Sequence, residues 1–147
     1  MTDAASPYEV HELIRRLELE RHPEGGWYRR RWTDPAEHDG RSASSAILFL
    51  LAQDERSHWH RIDAVEIWHH YRGAPLELQV SVDGRSIVDH VLGDDILKGQ
   101  SPQVVVPAGA WQSARSIGTY TLAGCTVTPA FDFDGFELAP AGWHPGG

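Results

Sequence analysis

A stretch of seventeen residues, 57–73, contains the side chains best suited to chemistry. It includes four of the nine histidines and one glutamate, namely His58, His60, His69, His70 and Glu66. A buried imidazole or carboxylate must be hydrogen-bonded, paired or bound to a metal. We therefore take this stretch as the candidate functional site.

His58 and His60 are two residues apart, so on a regular strand both imidazoles lie on the same face. Glu66 follows after a connection long enough to turn the chain back toward them. Two imidazoles and a carboxylate suit zinc, iron, manganese or nickel. Alternatively, His60 forms a hydrogen-bonded pair with Glu66 or Asp63, either as a general base or simply within a core.

Other candidate residues have both a structural and a functional interpretation. His69 and His70 are adjacent, so at most one of them faces the interior of a sheet protein. Trp68, Trp111 and Phe131 either pack in the core or contact a flat or sugar-like ligand. The single cysteine, Cys125, lies between a glycine and a threonine, and we expect it to be a small buried side chain rather than a nucleophile.

The elements that position these residues are mostly strands. A capping box that starts at Ser6, followed by apolar residues at helical spacing, predicts one helix over about residues 7–20. About eight or nine short strands follow at hairpin spacing, and the run Ser45–Ala52 is almost wholly apolar. The sequence predicts one all-β domain over 1–147, with a barrel or sandwich over about 26–139 and a loosely held tail over 140–147.

Composition limits the partners and the compartment. The formal net charge of -8 disfavours nucleic acid. One cysteine permits no internal disulfide, which fits a reducing cytoplasm. The longest apolar run is far shorter than the ~20 residues that cross a bilayer, so no membrane partner is expected.

Several motifs together resemble a known family. His58 and His60, Glu66, and later Pro107-Ala108-Gly109 with Gln112 are similar to the paired motifs of the cupin superfamily. More segments resemble its uncharacterised DUF985, or Cupin_5, group: residues 22–28 (His-Pro-Glu-Gly-Gly-Trp-Tyr), 45–51, 59–61, 66–69, 107–112, 122–127 and 131–133.

The resemblance implies a double-stranded β-helix, or jelly-roll barrel, of the RmlC-like kind that pairs as a homodimer. It implies no particular reaction. It also places Gln112 where the superfamily pattern has a second-motif histidine, so the candidate metal set becomes His58, His60, Glu66 and Gln112. A glutamine oxygen can coordinate a metal, but more weakly than imidazole for the softer divalent ions.

Three functions follow as hypotheses. The first is binding of a small sugar-like or nucleotide-like metabolite in the barrel mouth, with isomerase-like or epimerase-like catalysis. There His60 is the base, oriented by Glu66 or Asp63; Tyr120 or Tyr71 donates a proton, and Gln112 holds a carbonyl or hydroxyl. The second is a metal-dependent enzyme that uses the four-residue set. The third is a non-catalytic, ligand-binding dimer.

Overall fold

The computed structural model describes residues 6–147. It contains one α-helix, thirteen strands and two short 3₁₀ turns. The helix is α1 (Pro7–Arg16). The strands are β1 (Glu20–Arg21), β2 (Trp27–Thr33), β3 (Glu37–His38), β4 (Arg41–Ser42), β5 (Ser45–Ala52), β6 (Arg56–Ile62), β7 (Val65–Gly73), β8 (Leu76–Ser81), β9 (Val88–Leu92), β10 (Gln103–Val106), β11 (Trp111–Ser116), β12 (Tyr120–Thr128) and β13 (Phe136–Leu138).

The strands form two large antiparallel sheets. The first has the order β1-β2-β5-β12-β7-β10, and the second has the order β13-β6-β11-β8-β9. Strands β3 and β4 form a separate two-stranded ribbon. The expectation of an all-β domain with one leading helix is confirmed. None of the helices formed by residues 6–147 is long and apolar enough to cross a membrane.

The main core joins the facing sides of the two sheets. The apolar strand predicted at residues 45–52 is β5, and it pairs with β12 along eight residues. Alternate residues of β8, including Leu76 and Leu78, are buried, as the period of two predicts. Trp68 of β7 is among the largest fully buried side chains, and its ring meets the edge of Phe49 at 5.5 Å between centroids.

The helix is shorter than the predicted span. Ser6 caps its first turn, as expected, because the serine hydroxyl accepts from the backbone N–H of Glu9. The helix ends at Arg16, since Glu18 adopts a left-handed conformation with φ of 55°. This reversal lets Leu19, which is 7% exposed, pack in an apolar cluster between the helix and the first sheet, with Val10, Leu50, Tyr120 and Leu122.

A bulge in β6 changes which of its side chains share a face. His60 lies opposite Gln112 of β11. Two residues further along β11, Ala114 lies opposite Ser57, so β6 contains one extra residue. Ser57 and His60, which regular alternation would place on opposite faces, therefore both contact Glu24.

Two of the C-terminal residues 140–147 contact side chains of the second sheet, and the looseness expected of this tail stays a prediction. The carbonyl of Pro140 accepts a hydrogen bond from His58 Nε2 at 3.0 Å. The ring of Trp143 lies 4.6 Å from that of Trp111, measured between centroids.

Tyr120 joins α1 to the first sheet, and its hydroxyl makes the contact. The hydroxyl donates to Glu9 and accepts from Arg72 Nε at 2.9 Å. Tyr120→Phe should therefore lower the free energy of unfolding by about 1 kcal/mol, measured by urea denaturation. The control is Tyr8→Phe, because Tyr8 is 73% exposed. Equal stability of Tyr120→Phe and the wild type would contradict this role.

Candidate functional site

A cavity of about 400 Å³ lies between the two sheets. Its open end is marked by the exposed residues Glu20, Arg30, Asp132 and Phe133. The rest of the lining combines carboxyl and imidazole groups with apolar side chains. The remaining lining residues are His22, Glu24, Tyr28, Ile47, His60, Ile62, Glu66, Val127 and Phe131.

A tight loop between β1 and β2 carries Glu24 into this cavity. Gly25 and Gly26 have φ of 109° and 83°, a region that favours glycine. A Cβ at Gly25 would lie only 2.1 Å from the carbonyl oxygen of Arg56, so the close approach to β6 also requires glycine. The backbone N–H of His58 donates to the Glu24 carbonyl at 2.8 Å and fixes the loop against that strand.

The Glu24 carboxyl lies between two imidazoles. Its Oε2 is 3.3 Å from His60 Nε2 and accepts a hydrogen bond from the Ser57 hydroxyl. Its Oε1 is 3.2 Å from His22 Nδ1. The side chains of Glu24, His22 and His60 are 9%, 4% and 4% exposed, so water screens these contacts little.

The hydrogen bonds determine where the ring protons lie. His60 Nδ1 donates to the His58 carbonyl at 2.8 Å, so a neutral His60 ring has an unprotonated Nε2 facing Glu24. His22 Nδ1 accepts from the backbone N–H of Glu24 at 3.1 Å and is likewise unprotonated. The contact between Glu24 and His60 therefore needs one shared proton.

Burial favours the neutral form of each of these groups. It raises the pKa of Glu24 to about 8, although the hydrogen bond from Ser57 opposes the rise. Burial and, to a smaller extent, the nearby His60 lower the pKa of His22 to about 4. Burial also lowers the pKa of His60, against the attraction of Glu66. At neutral pH the shared proton therefore lies mainly on Glu24.

A second carboxyl, Glu66, is held in place by a series of hydrogen bonds from side chains in the core. Gln112 Nε2 donates to Glu66 Oε1 at 2.7 Å, and Trp68 Nε1 donates to Gln112 Oε1 at 2.8 Å. The buried Cys125 thiol also lies near Glu66 and slightly opposes the rise of its pKa. Burial raises the pKa of Glu66 to about 7; the nearby His60 opposes the rise, whereas Glu24 adds to it.

The candidate metal set does not fit a metal ion. The Gln112 oxygen is occupied by the indole of Trp68, and its nitrogen donates to Glu66. The Nε2 of His58 faces the carbonyl of Pro140 rather than the cavity, because the bulge breaks the alternation. Among residues 6–147, no three His, Cys, Asp or Glu side chains are placed to hold a metal.

The other predicted residues divide between the cavity and its surroundings. His60, Glu66 and Phe131 line the cavity, whereas Trp68 and Gln112 support Glu66 from the core. Four aromatic or acidic candidates are not brought to the cavity by the structure. Tyr120 contacts α1, Tyr71 is 58% exposed beside His69, the ring of Trp111 lies under Arg61, and Asp63 pairs with Arg41.

His69 and His70 also have partners elsewhere. His69 contacts Thr126 at 3.1 Å and Gln103 at 3.2 Å. His70 contacts the carbonyl of Gly73 at 3.2 Å. Neither histidine lines the cavity.

Sequence reasoning missed His22 and Glu24 as site residues. The proline and the two glycines of residues 22–26 indicate a turn, and a turn by itself does not point to a site. The signal that could have found them is a histidine and a glutamate beside two glycines, since site residues are often carried on loops fixed by a scaffold.

The comparisons with known proteins identify the family. The chain matches the model described as "Cupin superfamily (DUF985)" over residues 11–139. This chain therefore belongs to the DUF985 group of the cupin superfamily. A search of curated proteins found no match.

Solved structures support the same assignment. A protein from Shewanella oneidensis is 35% identical over 95% of this chain and 85% of its own, with a TM-score of 0.84. A hypothetical protein from Leishmania major is 28% identical over 90% and 88%, with a TM-score of 0.82. Oxalate decarboxylase from Bacillus subtilis is 11% identical over 78% of this chain and 28% of its own, with a TM-score of 0.60, and this likeness concerns the cupin fold alone.

The shifted pKa values predict how stability depends on pH. Above its ordinary pKa of 4.5, Glu24 keeps in the folded state a proton that the unfolded chain releases, so stability falls from there to about pH 8. Glu66 acts in the same direction up to about pH 7. His22 acts oppositely, but only between about pH 4 and its ordinary pKa of 6.5.

From pH 6.5 to 8 we therefore expect the free energy of unfolding to decrease, by at most about 1.4 kcal/mol per pH unit for each carboxyl. Glu24→Gln should remove most of this decrease, and Glu37→Gln, at an exposed position, should not. Urea denaturation across the pH series measures both. A wild type whose stability rises over this range would contradict the protonated state of Glu24.

Proposed function

We propose that this cupin binds a small hydroxylated metabolite in the cavity and catalyses proton transfer to and from carbon, as an isomerase or epimerase does. The observation that carries the proposal is the pair of buried carboxyls in one cavity, with pKa values raised to about 8 for Glu24 and about 7 for Glu66. Groups that titrate near neutral pH are the most effective general acids and bases.

The two carboxyls suit opposite roles. The pKa of Glu66 is raised less than that of Glu24, so Glu66 is the carboxyl that can accept a proton from a carbon next to a carbonyl group. Glu24 is still mostly protonated and can donate a proton to the resulting enediolate. His60 Nε2 lies 3.3 Å from the Glu24 carboxyl, and in this proposal His60 positions Glu24, whereas the sequence predicted it as the base. Solvent restores both protonation states before the next turnover.

The lining supports a sugar-like ligand. Phe131, Ile47 and Val127 present apolar surface on one part of the wall, and the carboxyls and imidazoles present polar groups on another. A volume of about 400 Å³ lies within the range of pockets for small organic ligands. A sugar ring has both an apolar face and hydroxyl groups, which suits such a mixed surface.

One observation favours a non-catalytic binding protein as the second candidate. Among residues 6–147, every buried side-chain nitrogen and oxygen already has a hydrogen-bond partner. A fully satisfied network can serve to hold the core together as well as to bind a ligand. The homodimer stays a prediction under either function.

Deuterium exchange tests the catalytic proposal whatever the product of the reaction is. Ketoses, aldoses and nucleotide-linked keto sugars are incubated with the protein in deuterium oxide, and the loss of C–H signals is followed by proton NMR. The wild type should exchange a proton next to the carbonyl group of at least one of them. Glu66→Gln and Glu24→Gln should each slow this exchange by roughly 100-fold or more.

Tyr120→Phe is the matched control, because Tyr120 contacts α1 and does not line the cavity. It should exchange at the wild-type rate. A ligand that binds to the wild type without any exchange would favour the non-catalytic binding protein. Full exchange by both glutamine variants would contradict the proposed roles of the carboxyls.

A further inference from the structure

Arg30 differs from most arginines of this chain because no carboxylate neutralises it. Eight of the twelve arginines lie within 4.0 Å of a carboxylate oxygen: Arg15, Arg16, Arg21, Arg29, Arg41, Arg61, Arg72 and Arg115. Within the described part of the chain, Arg30 has no such neighbour. It is also the arginine that lines the cavity.

The local structure of β2 directs Arg30 to the cavity. Tyr28 and Arg30 are two residues apart and both line it, whereas Arg29 between them pairs with Glu18. The pairing of β2 with β5 then shifts by one residue between Arg30 and Trp32. Such bulges often lie beside binding sites, where they change the direction of a side chain.

One hydrogen bond fixes the guanidinium and leaves most of its donors free. Arg30 Nη2 donates to the Phe131 carbonyl at 2.8 Å. A guanidinium has five N–H donors in a planar arrangement that matches two oxygens of a carboxylate or phosphate. The hydrogen bond to Phe131 therefore fixes the guanidinium at the open end of the cavity and leaves its other N–H donors available.

The acidic residues near Arg30 have other partners. Burial and the neighbouring Glu20 carboxylate both raise the pKa of Tyr28. Asp132 accepts from the backbone N–H of Asp134 at 2.9 Å, and its charge acts on Arg41. Both carboxylates still lie in the lining, so an anionic ligand needs a strong positive anchor to bind there.

We propose that Arg30 binds an acidic group of the ligand, a carboxylate or a phosphate, at the open end of the cavity. The remainder of the ligand then lies along Phe131 toward Glu24. The inference rests on the proposed site for the position of the reacting end, but the anion contact itself depends only on Arg30 and its surroundings. The substrate class becomes a hydroxylated metabolite with one acidic group.

Minimal anions test the contact directly. The full chain, labelled with ¹⁵N, is titrated with inorganic phosphate and, separately, with acetate, against sodium chloride at equal ionic strength. We expect a saturable shift of the Arg30 Nε signal, and of Tyr28 and Phe131 beside it, with at least one of the two anions. Which anion binds more tightly distinguishes a phosphate ligand from a carboxylate ligand.

Arg30→Gln should weaken the response at Tyr28 and Phe131 by roughly tenfold or more. Arg31→Gln, at a neighbouring exposed arginine for which residues 6–147 provide no carboxylate partner, is the matched control and should leave it unchanged. No saturable shift at Arg30 with either anion, or equal shifts at Arg30 and Arg31, would overturn the proposal.

Glu24→Gln separates this inference from the proposed function. If the anion binds at Arg30 in the wild type and in Glu24→Gln, but no substrate exchanges deuterium, the anchor stands and proton-transfer catalysis fails. If phosphate-containing nucleotide-linked keto sugars exchange deuterium, and Arg30→Gln exchanges them as fast as the wild type, catalysis stands and the proposed anion contact is wrong.

Discussion

The site depends on one buried contact, the carboxyl of Glu24 against the Nε2 of His60. Within the described residues, neither group has a lysine or arginine to balance a charge, and both are almost fully enclosed. In such surroundings the neutral carboxyl and the neutral imidazole are favoured, and their contact requires a single proton between them. The raised pKa of Glu24 and the lowered pKa of His60 are two consequences of this arrangement.

Backbone features hold this contact in place. Gly25 brings the loop against β6, and Gly26 brings it against β5, at distances that a side chain would prevent. The bulge in β6 turns Ser57 and His60 toward the same carboxyl. A similar support acts on Glu66, since Trp68 fixes the direction of the Gln112 amide. With its oxygen engaged by an indole, Gln112 acts as a donor to a carboxyl and not as a metal ligand.

The sequence predicted the fold and part of the site. Strand β5 has the predicted bounds, and His60, Glu66 and Phe131 line the cavity. Residue types and alternation suffice for such features. They could not place His58, because a bulge is not visible in the period of two, and they could not assign Glu24, because its position depends on how a loop packs against a distant strand.

Tyr120 illustrates another limit of sequence reasoning. A tyrosine at the end of a strand could reach the cavity or its outside, and only the packing of α1 decides between them. Sequence reasoning could not single out Arg30 either, because no motif contains it. It is distinguished by its place in the cavity lining and by the lack of a carboxylate partner among the described residues. Both residues are defined by neighbours that are far away in the chain.

The protonation state of His60 tests the central claim most directly. Two-dimensional ¹⁵N NMR of histidine-labelled protein, with the His60 signals assigned through His60→Gln, reports which ring nitrogens carry a proton. At pH 7 we expect a neutral ring, protonated at Nδ1 and with an unprotonated Nε2 that accepts a hydrogen bond. A doubly protonated ring, or a ring protonated at Nε2 alone, would contradict a proton held by Glu24.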